Sequence, residues 1–249
     1  MPAAPKQITL VPPPAGSAPE ERMYLDVYDA IMSHRLTAGA KLTEQALGEI
    51  YGMARHHVRR VLARLAADGL VDLEPNRGAY IASPGEREAE DMFELRQVLE
   101  AKVMDKLAGR LTASGQQALR ELIVRERDAW MRGDRPLWVR LSAEFHIELA
   151  KLAGNQLLVD ALRRLVSRTT LLISNLDTAG QQPCSFDEHA AVIDALQDKD
   201  GARAQAQMAQ HLSQCACRML KRSPVRFDLR SALGKGTPPV AAAANRQEG

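Results

Sequence analysis

Aromatic residues make up only 4% of this 249-residue chain, although 45% of it is apolar. Sheets draw heavily on aromatic and β-branched side chains. Here Leu and Ala supply most of the apolar content, so the composition argues for helices. Cysteine is as scarce: Cys184, Cys215 and Cys217 cannot build a disulfide framework in a chain this long, and an isolated Cys-x-Cys pair is a weak metal signature. Reduced thiols packed in or near a helix are expected. No apolar run approaches the roughly 20 residues that a membrane-spanning helix needs, and the N-terminus lacks the charged-then-apolar layout of a secretory signal, so the expected compartment is the cytoplasm. Nor does charge of one sign predominate. The 33 Lys and Arg and 31 Asp and Glu leave +2, too little to argue for a nucleic-acid partner by itself. His-Glu-x-x-His, nucleophile-elbow and phosphate-loop motifs are missing, which removes common signatures of hydrolases and nucleotide enzymes.

What is present divides most simply into two domains. Residues 1–20 and 223–249 are rich in Pro, Ala and Gly without periodicity and read as tails. Ser83-Pro84-Gly85 marks a linker. An N-terminal domain over 21–83 and a larger one over 86–222 remain.

The small net charge conceals a local excess. Between Tyr51 and Ala67 there is no acidic residue, yet Arg55, Arg59, Arg60 and Arg64 all fall there. From Arg22 to Ser83 the balance is eight Lys and Arg against seven Asp and Glu. Leu25, Val27, Ile31 and Met32 predict a first helix within 23–36. Leu47 and Ile50 give the next short helix an apolar edge, and Gly52 ends it. Val58, Leu62 and Leu65 recur at helical spacing through the arginine run. Gly69 suits a helix C-terminus. Leu70, Val71 and Leu73, then Glu-Pro-Asn-Arg-Gly, then Ala-Tyr-Ile, read as two short strands around a turn whose tip holds Arg77 and Gly78. This order of elements predicts a winged helix-turn-helix, whose basic helix can enter the major groove of DNA. The alternative is a merely solvated basic face.

The stretch from Leu36 to Ile81 resembles the GntR family of bacterial transcription regulators, and the matching residues are Gly39, Leu42, Glu44, Arg55, Val58, Arg59, Leu62, Leu65, Gly69, Leu70, Val71, Arg77 and Gly78. The resemblance implies that Lys41, Arg55 and Arg59 touch DNA in or beside the major groove, and that Arg77 with Gly78 reaches the minor groove. Met53-Ala54 replaces the family's usual Val-Ser, removing a hydroxyl N-cap. His56 and His57 stand where small residues or Pro are usual, and Arg60 replaces a common Glu. These departures fall on base-reading positions and imply a different operator sequence, with Arg60 as an added phosphate contact.

Beyond the linker the periodicity is helical throughout. Apolar residues recur as Met92, Leu95, Leu99 and Val103, as Leu119, Leu122 and Ile123, and as Trp138, Leu141, Phe145, Leu149 and Leu152, with further stretches over 156–176, 188–197 and 202–220. The expected fold is mostly α, the winged helix-turn-helix with its hairpin being followed by an antiparallel all-α bundle of six or seven helices. Glu94-Leu95-Arg96, Glu144-Phe145-His146, Ala153-Gly154-Asn155, Glu188-His189 and His211-Leu212 resemble the effector-binding FCD-type domain of the FadR-like branch. That likeness implies a divalent metal, zinc or nickel, on His146, His189 and His211. The position that usually supplies an Asp or Asn ligand holds Ser142, a poor neutral ligand, so the set is short of one donor. Cys215 lies one helical turn beyond His211 and can approach it, although a buried packing thiol is the commoner state. Arg96 stands where relatives grip an effector carboxylate; the competing reading is a surface ion pair with Glu100. Asn175 is a second candidate pocket residue.

Together these features point to a ligand-responsive DNA-binding regulator, not an enzyme. The expected partners are a double-stranded pseudo-palindromic operator, a second copy of the chain and a small carboxylate-containing metabolite, with repression relieved by the ligand. A metal-dependent hydrolase using the three histidines, and an architectural DNA binder without effector, are the alternatives.

Overall fold

A computed structural model describes residues 18–32, 35–174 and 186–220. The N-terminal elements are α1 (Pro19–Met32), β1 (Lys41–Leu42), α2 (Glu44–Tyr51), α3 (Arg55–Ala67), β2 (Val71–Glu74) and β3 (Gly78–Ile81). Helix α1 begins with a proline and two glutamates, residue types that suit the first turn of a helix. Its Met23, Val27 and Ile31 pack with Val58, Leu62 and Leu65 of α3 in one core. The Thr43 hydroxyl caps α2 by accepting from the Ala46 N–H, and Gly52 closes that helix at φ 62°. Helix α3 starts after Ala54 with no side-chain cap, as the missing hydroxyl predicts.

Two expectations need correction here. Ile50 is 71% exposed and Leu73 51%, so only Leu47 of the predicted apolar edge is buried. The wing is also not a lone hairpin. Strand β3 lies between β1 and β2, antiparallel to both, with Lys41 opposite Tyr80 and Val71 opposite Ile81. A two-residue strand such as β1 leaves no alternation from which to read it.

The C-terminal bundle comprises α4 (Glu86–Leu107), α5 (Ala113–Met131), α6 (Arg135–Leu152), α7 (Gln156–Ser174), α8 (Phe186–Gln197) and α9 (Gly201–Leu220). Among the described residues this is six helices. Helix α4 packs on α7 and α9, α6 on α5 and α7, and α8 on α5 and α9. Trp138, Phe145 and Leu149 of α6 are fully buried and hold the centre with Leu119, Val192, Ile193 and Leu212. The inward stripes are incomplete, since Leu95 is 47% exposed and Leu152 38%. No described helix is long and apolar enough to cross a membrane.

The domains meet along α7. Arg168 donates to Asp72 on β2 at 2.9 Å and to Glu88 on α4 at 2.6 Å. Gly69, at φ +78°, fits beneath it. A Cβ there would stand 2.7 Å from the Arg168 Cγ and 3.0 Å from the Arg164 carbonyl oxygen, so the junction excludes a side chain.

Candidate functional site

Two sites take shape, one open and one closed. The open one is a groove of about 1360 Å³ between α3, the wing and the start of α2. Lys41, Arg55, Arg59, Arg60, Arg77 and Gly78 all line it. Helix α3 supplies the three arginines on its exposed face because Val58, Leu62 and Leu65 take the other face to the core. The wing turn supplies Arg77, with Asn76 at φ 61° and Gly78 at φ 109° setting the bend. Lys41 is held on β1 and lies 5.5 Å from the Tyr80 ring centre.

The groove arginines hold carboxylates. Arg55 pairs with Glu44, Arg59 approaches the same glutamate at 3.7 Å, and Arg77 pairs with Glu74 at 2.5 Å. Such exposed pairs are worth about 0–1 kcal/mol each, so a phosphate can displace the glutamate. The other half of α3 is differently engaged. Arg60 and His57 both bond to Glu20 of α1, while Arg64 bonds to Glu21 and sits 3.8 Å above the Tyr24 ring. His57 is thus turned to α1 instead of the groove lining, and the ring of the exposed His56 lies tilted beside it with centroids 3.9 Å apart. Sequence reasoning placed both histidines at the base-reading surface; it missed Glu20 and Glu21 because they lay in the stretch read as a tail or at its edge.

The closed site lies inside the bundle, and all six helices contribute to it. One nitrogen from each of His146, His189 and His211 lies within 4.8 Å of the others, all three residues being buried. Each ring also bonds a glutamate through Nδ1: His146 to Glu100 at 2.5 Å, His189 to Glu126 at 2.9 Å, and His211 to Glu188 at 2.8 Å. An Nδ1–H donated to a carboxylate puts the imidazole lone pair on Nε2, the tautomer that a metal ligand requires. Phe145 stacks on His189 with centroids 4.0 Å apart and fixes that ring.

The electrostatics agree with this assignment. Burial pushes the His146 imidazole well below its ordinary value, so it is neutral. Burial opposes ionisation of Glu100, but His146 and Arg96 beside it outweigh that and hold its carboxyl low. Glu126 is fully buried and its Oε1 has no hydrogen-bond partner. Its other oxygen accepts from His189, so one carboxylate oxygen is left buried without a donor, a feature that positive charge in the site would offset. The donor set therefore fits a divalent transition metal held by three imidazoles.

Arg96 is 5% exposed. It does pair with Glu100, at 2.8 Å, but inside the bundle instead of on its surface, and it donates to the Thr169 hydroxyl at 2.9 Å. Its Nη2 and the indole Nε1 of Trp138 are buried without partners. Both residues line one cavity of about 20 Å³ together with Ser142, His146, His211 and Cys215. Apolar spacing marks Trp138 as a core residue, and nothing in that spacing signals an unsatisfied N–H. Asn175 and Cys184 lie outside the described residues.

Residues 19–81 match the family model described as bacterial regulatory proteins, gntR family, and residues 91–214 match the FCD domain. The chain belongs to the GntR family. Relatives of this GntR regulator include the HTH-type transcriptional repressor RspR of Escherichia coli, 26% identical over 182 residues that cover 72% of the chain and 79% of the relative. Another is the HTH-type transcriptional regulator LutR of Bacillus subtilis, 27% identical over 209 residues that cover 74% and 93%. Among solved structures, E. coli McbR/YncC shares the fold at TM-score 0.69 and 19% identity, covering 82% of this chain and 97% of that one. A putative GntR regulator from Rhodococcus sp. RHA1 does so at TM-score 0.68 and 20% identity, covering 82% and 98%. The GntR match contains the open groove, and the FCD match contains Arg96 and the three histidines. The molecule is a DNA-binding transcription regulator in which a winged helix-turn-helix precedes an FCD domain.

Proposed function

We propose that this regulator works as a cytoplasmic homodimeric repressor, released from a pseudo-palindromic operator when a small organic acid enters the bundle beside a divalent metal. The observation that carries the effector class is the pair of unsatisfied buried donors, Arg96 Nη2 and Trp138 Nε1, on two residues that line one cavity. A carboxylate is the acceptor that satisfies both, and a guanidinium binds it with charge-assisted hydrogen bonds. His146, His189 and His211 would hold the metal, whose positive charge would favour a carboxylate in the adjoining cavity. Two relatives, RspR and a probable D-xylose utilization operon regulator of Paenarthrobacter nicotinovorans, are named as repressors, which supports the sign of regulation. Dimerisation gives two copies of α3 the spacing of successive major grooves, and the exposed Leu95 and Val98 on α4 offer apolar surface for it.

The cavity of about 20 Å³ admits little more than one water, so an acid enters only if helices part. Helix α7 is placed to transmit that movement. Thr169, which accepts from Arg96, is the immediate neighbour of Arg168, which grips the wing strand through Asp72. A hundredfold change in occupancy requires about 2.7 kcal/mol of coupling, an ordinary allosteric magnitude.

The test is a titration of operator-bound protein with small mono- and dicarboxylic acids, read by fluorescence anisotropy. One or more acids should release the wild type. Arg96→Lys should raise the concentration needed by about tenfold or more, through loss of the planar fork, and Trp138→Phe by a smaller factor. Operator affinity without acid should not change in either variant. Indifference to every acid would dismiss the effector reading, and an unchanged response in both variants would dismiss this pocket.

A further inference from the structure

The metal centre is one donor short if only the three histidines serve it, because Ser142 stands four residues before His146 where a carboxylate or amide ligand is usual. The fold brings a different donor to the same cavity. Cys215 is buried on α9, one turn after His211, and lines the cavity with Ser142, His146 and His211. Its Sγ is 3.8 Å from His211 Nε2. Across a tetrahedral zinc ion with ordinary bond lengths, a sulfur and an imidazole nitrogen stand about 3.6 Å apart. One donor atom each from Cys215, His211 and Glu188 falls within 4.8 Å of the other two, a group that shares His211 with the three-histidine cluster but contains neither His146 nor His189, so Cys215 reaches the whole cluster only when the side chains close on an ion.

We infer that Cys215 is the fourth protein ligand of the metal held by His146, His189 and His211, replacing the donor lost at Ser142. The inference rests on the proposal that the bundle binds metal. As the sulfur–metal bond forms, the thiol proton passes to solvent, and the thiolate stays on the ion. A site of three imidazoles and one thiolate favours zinc, cobalt or other thiophilic ions over magnesium, calcium or manganese. Three neutral imidazoles and a thiolate also leave one net positive charge on a divalent ion, set against the buried carboxylates that orient the rings.

Full-length protein carrying Cys184→Ser and Cys217→Ser keeps Cys215 as its sole cysteine. Titrated anaerobically with cobalt(II), it should bind one ion per chain with intense visible bands of tetrahedral cobalt and a strong near-ultraviolet thiolate-to-cobalt charge-transfer band. Changing Cys215→Ser in that background should abolish the near-ultraviolet band and weaken cobalt retention against a competing chelator by about tenfold or more. Tetrahedral visible bands without the charge-transfer band in the single-cysteine protein would overturn the role of Cys215 while leaving the three-histidine site standing. No cobalt uptake at all would overturn both. The single-cysteine protein decides the question even if the Cys215→Ser chain does not fold.

Discussion

The groove and the bundle centre are built from the same chemistry, arginine or histidine against glutamate, and they behave in opposite ways because one is wet and the other dry. In the groove, the Arg55 side chain is 80% exposed and its partner Glu44 29%. Water screens the pair, and either member can exchange its partner for a phosphate at little cost. In the bundle, His189 and Glu126 are both 0% exposed, and neither can leave its partner without stranding a polar group away from water. The first arrangement suits a surface that must bind and release a polyanion. The second suits a site that must hold one cation in a fixed geometry.

The contrast breaks most visibly when one member of a buried pair is removed. Glu100→Ala leaves Arg96 and His146 without their carboxylate, and urea unfolding should show a loss of about 3–5 kcal/mol. A loss under 1 kcal/mol would mean that water reaches this site. Metal withdrawal comes next. An ion present at a hundred times its dissociation constant stabilises the fold by about 2.7 kcal/mol, so a chelator should lower the melting temperature of the metal-loaded protein, and His189→Ala should remove that response.

Arg55→Ala should act in the other sense. It should weaken binding to a specific operator by about 1–3 kcal/mol while unfolding as the wild type does within about 0.5 kcal/mol. Comparable losses in both measurements would show that the groove pair is structural after all. The smallest expected effect sharpens the comparison within α3 itself. Ala54 has the extended backbone of an N-cap, φ −65° and ψ 148°, without a side-chain acceptor. Ala54→Ser should raise thermal stability by about 1 kcal/mol, and no gain would mean that neighbouring groups already satisfy the first turn.

Much of this was legible along the chain because helices announce their faces locally. The spacing of Val58, Leu62 and Leu65 fixes which side of α3 is buried, and that alone sends Arg55 and Arg59 outward. The same logic failed at Ile50 and Leu73, where the elements are too short to enforce a buried stripe. It failed differently at Arg96. The i,i+4 relation with Glu100 is legible in the spacing, but burial inverts its meaning, from a weak surface pair to a charged cluster beside a cavity.

The sequence by itself determined the helices, the β2–β3 hairpin of the wing, the side of α3 that carries the arginines, and the three histidines and Arg96 as the residues to watch. The helices, the hairpin and the arginine face follow from periodicity, capping chemistry and turn motifs, all of which act over a few residues, whereas the histidines and Arg96 came from the resemblance to the family. Only the tertiary structure decided what each of them meets: Glu126, 63 positions from His189, Glu100, 46 positions from His146, Thr169, 73 positions from Arg96, and Cys215 in the space beside Ser142. Helical spacing assigns a side chain to a face, but the neighbour across that face is set by how six helices pack, and no local pattern encodes it.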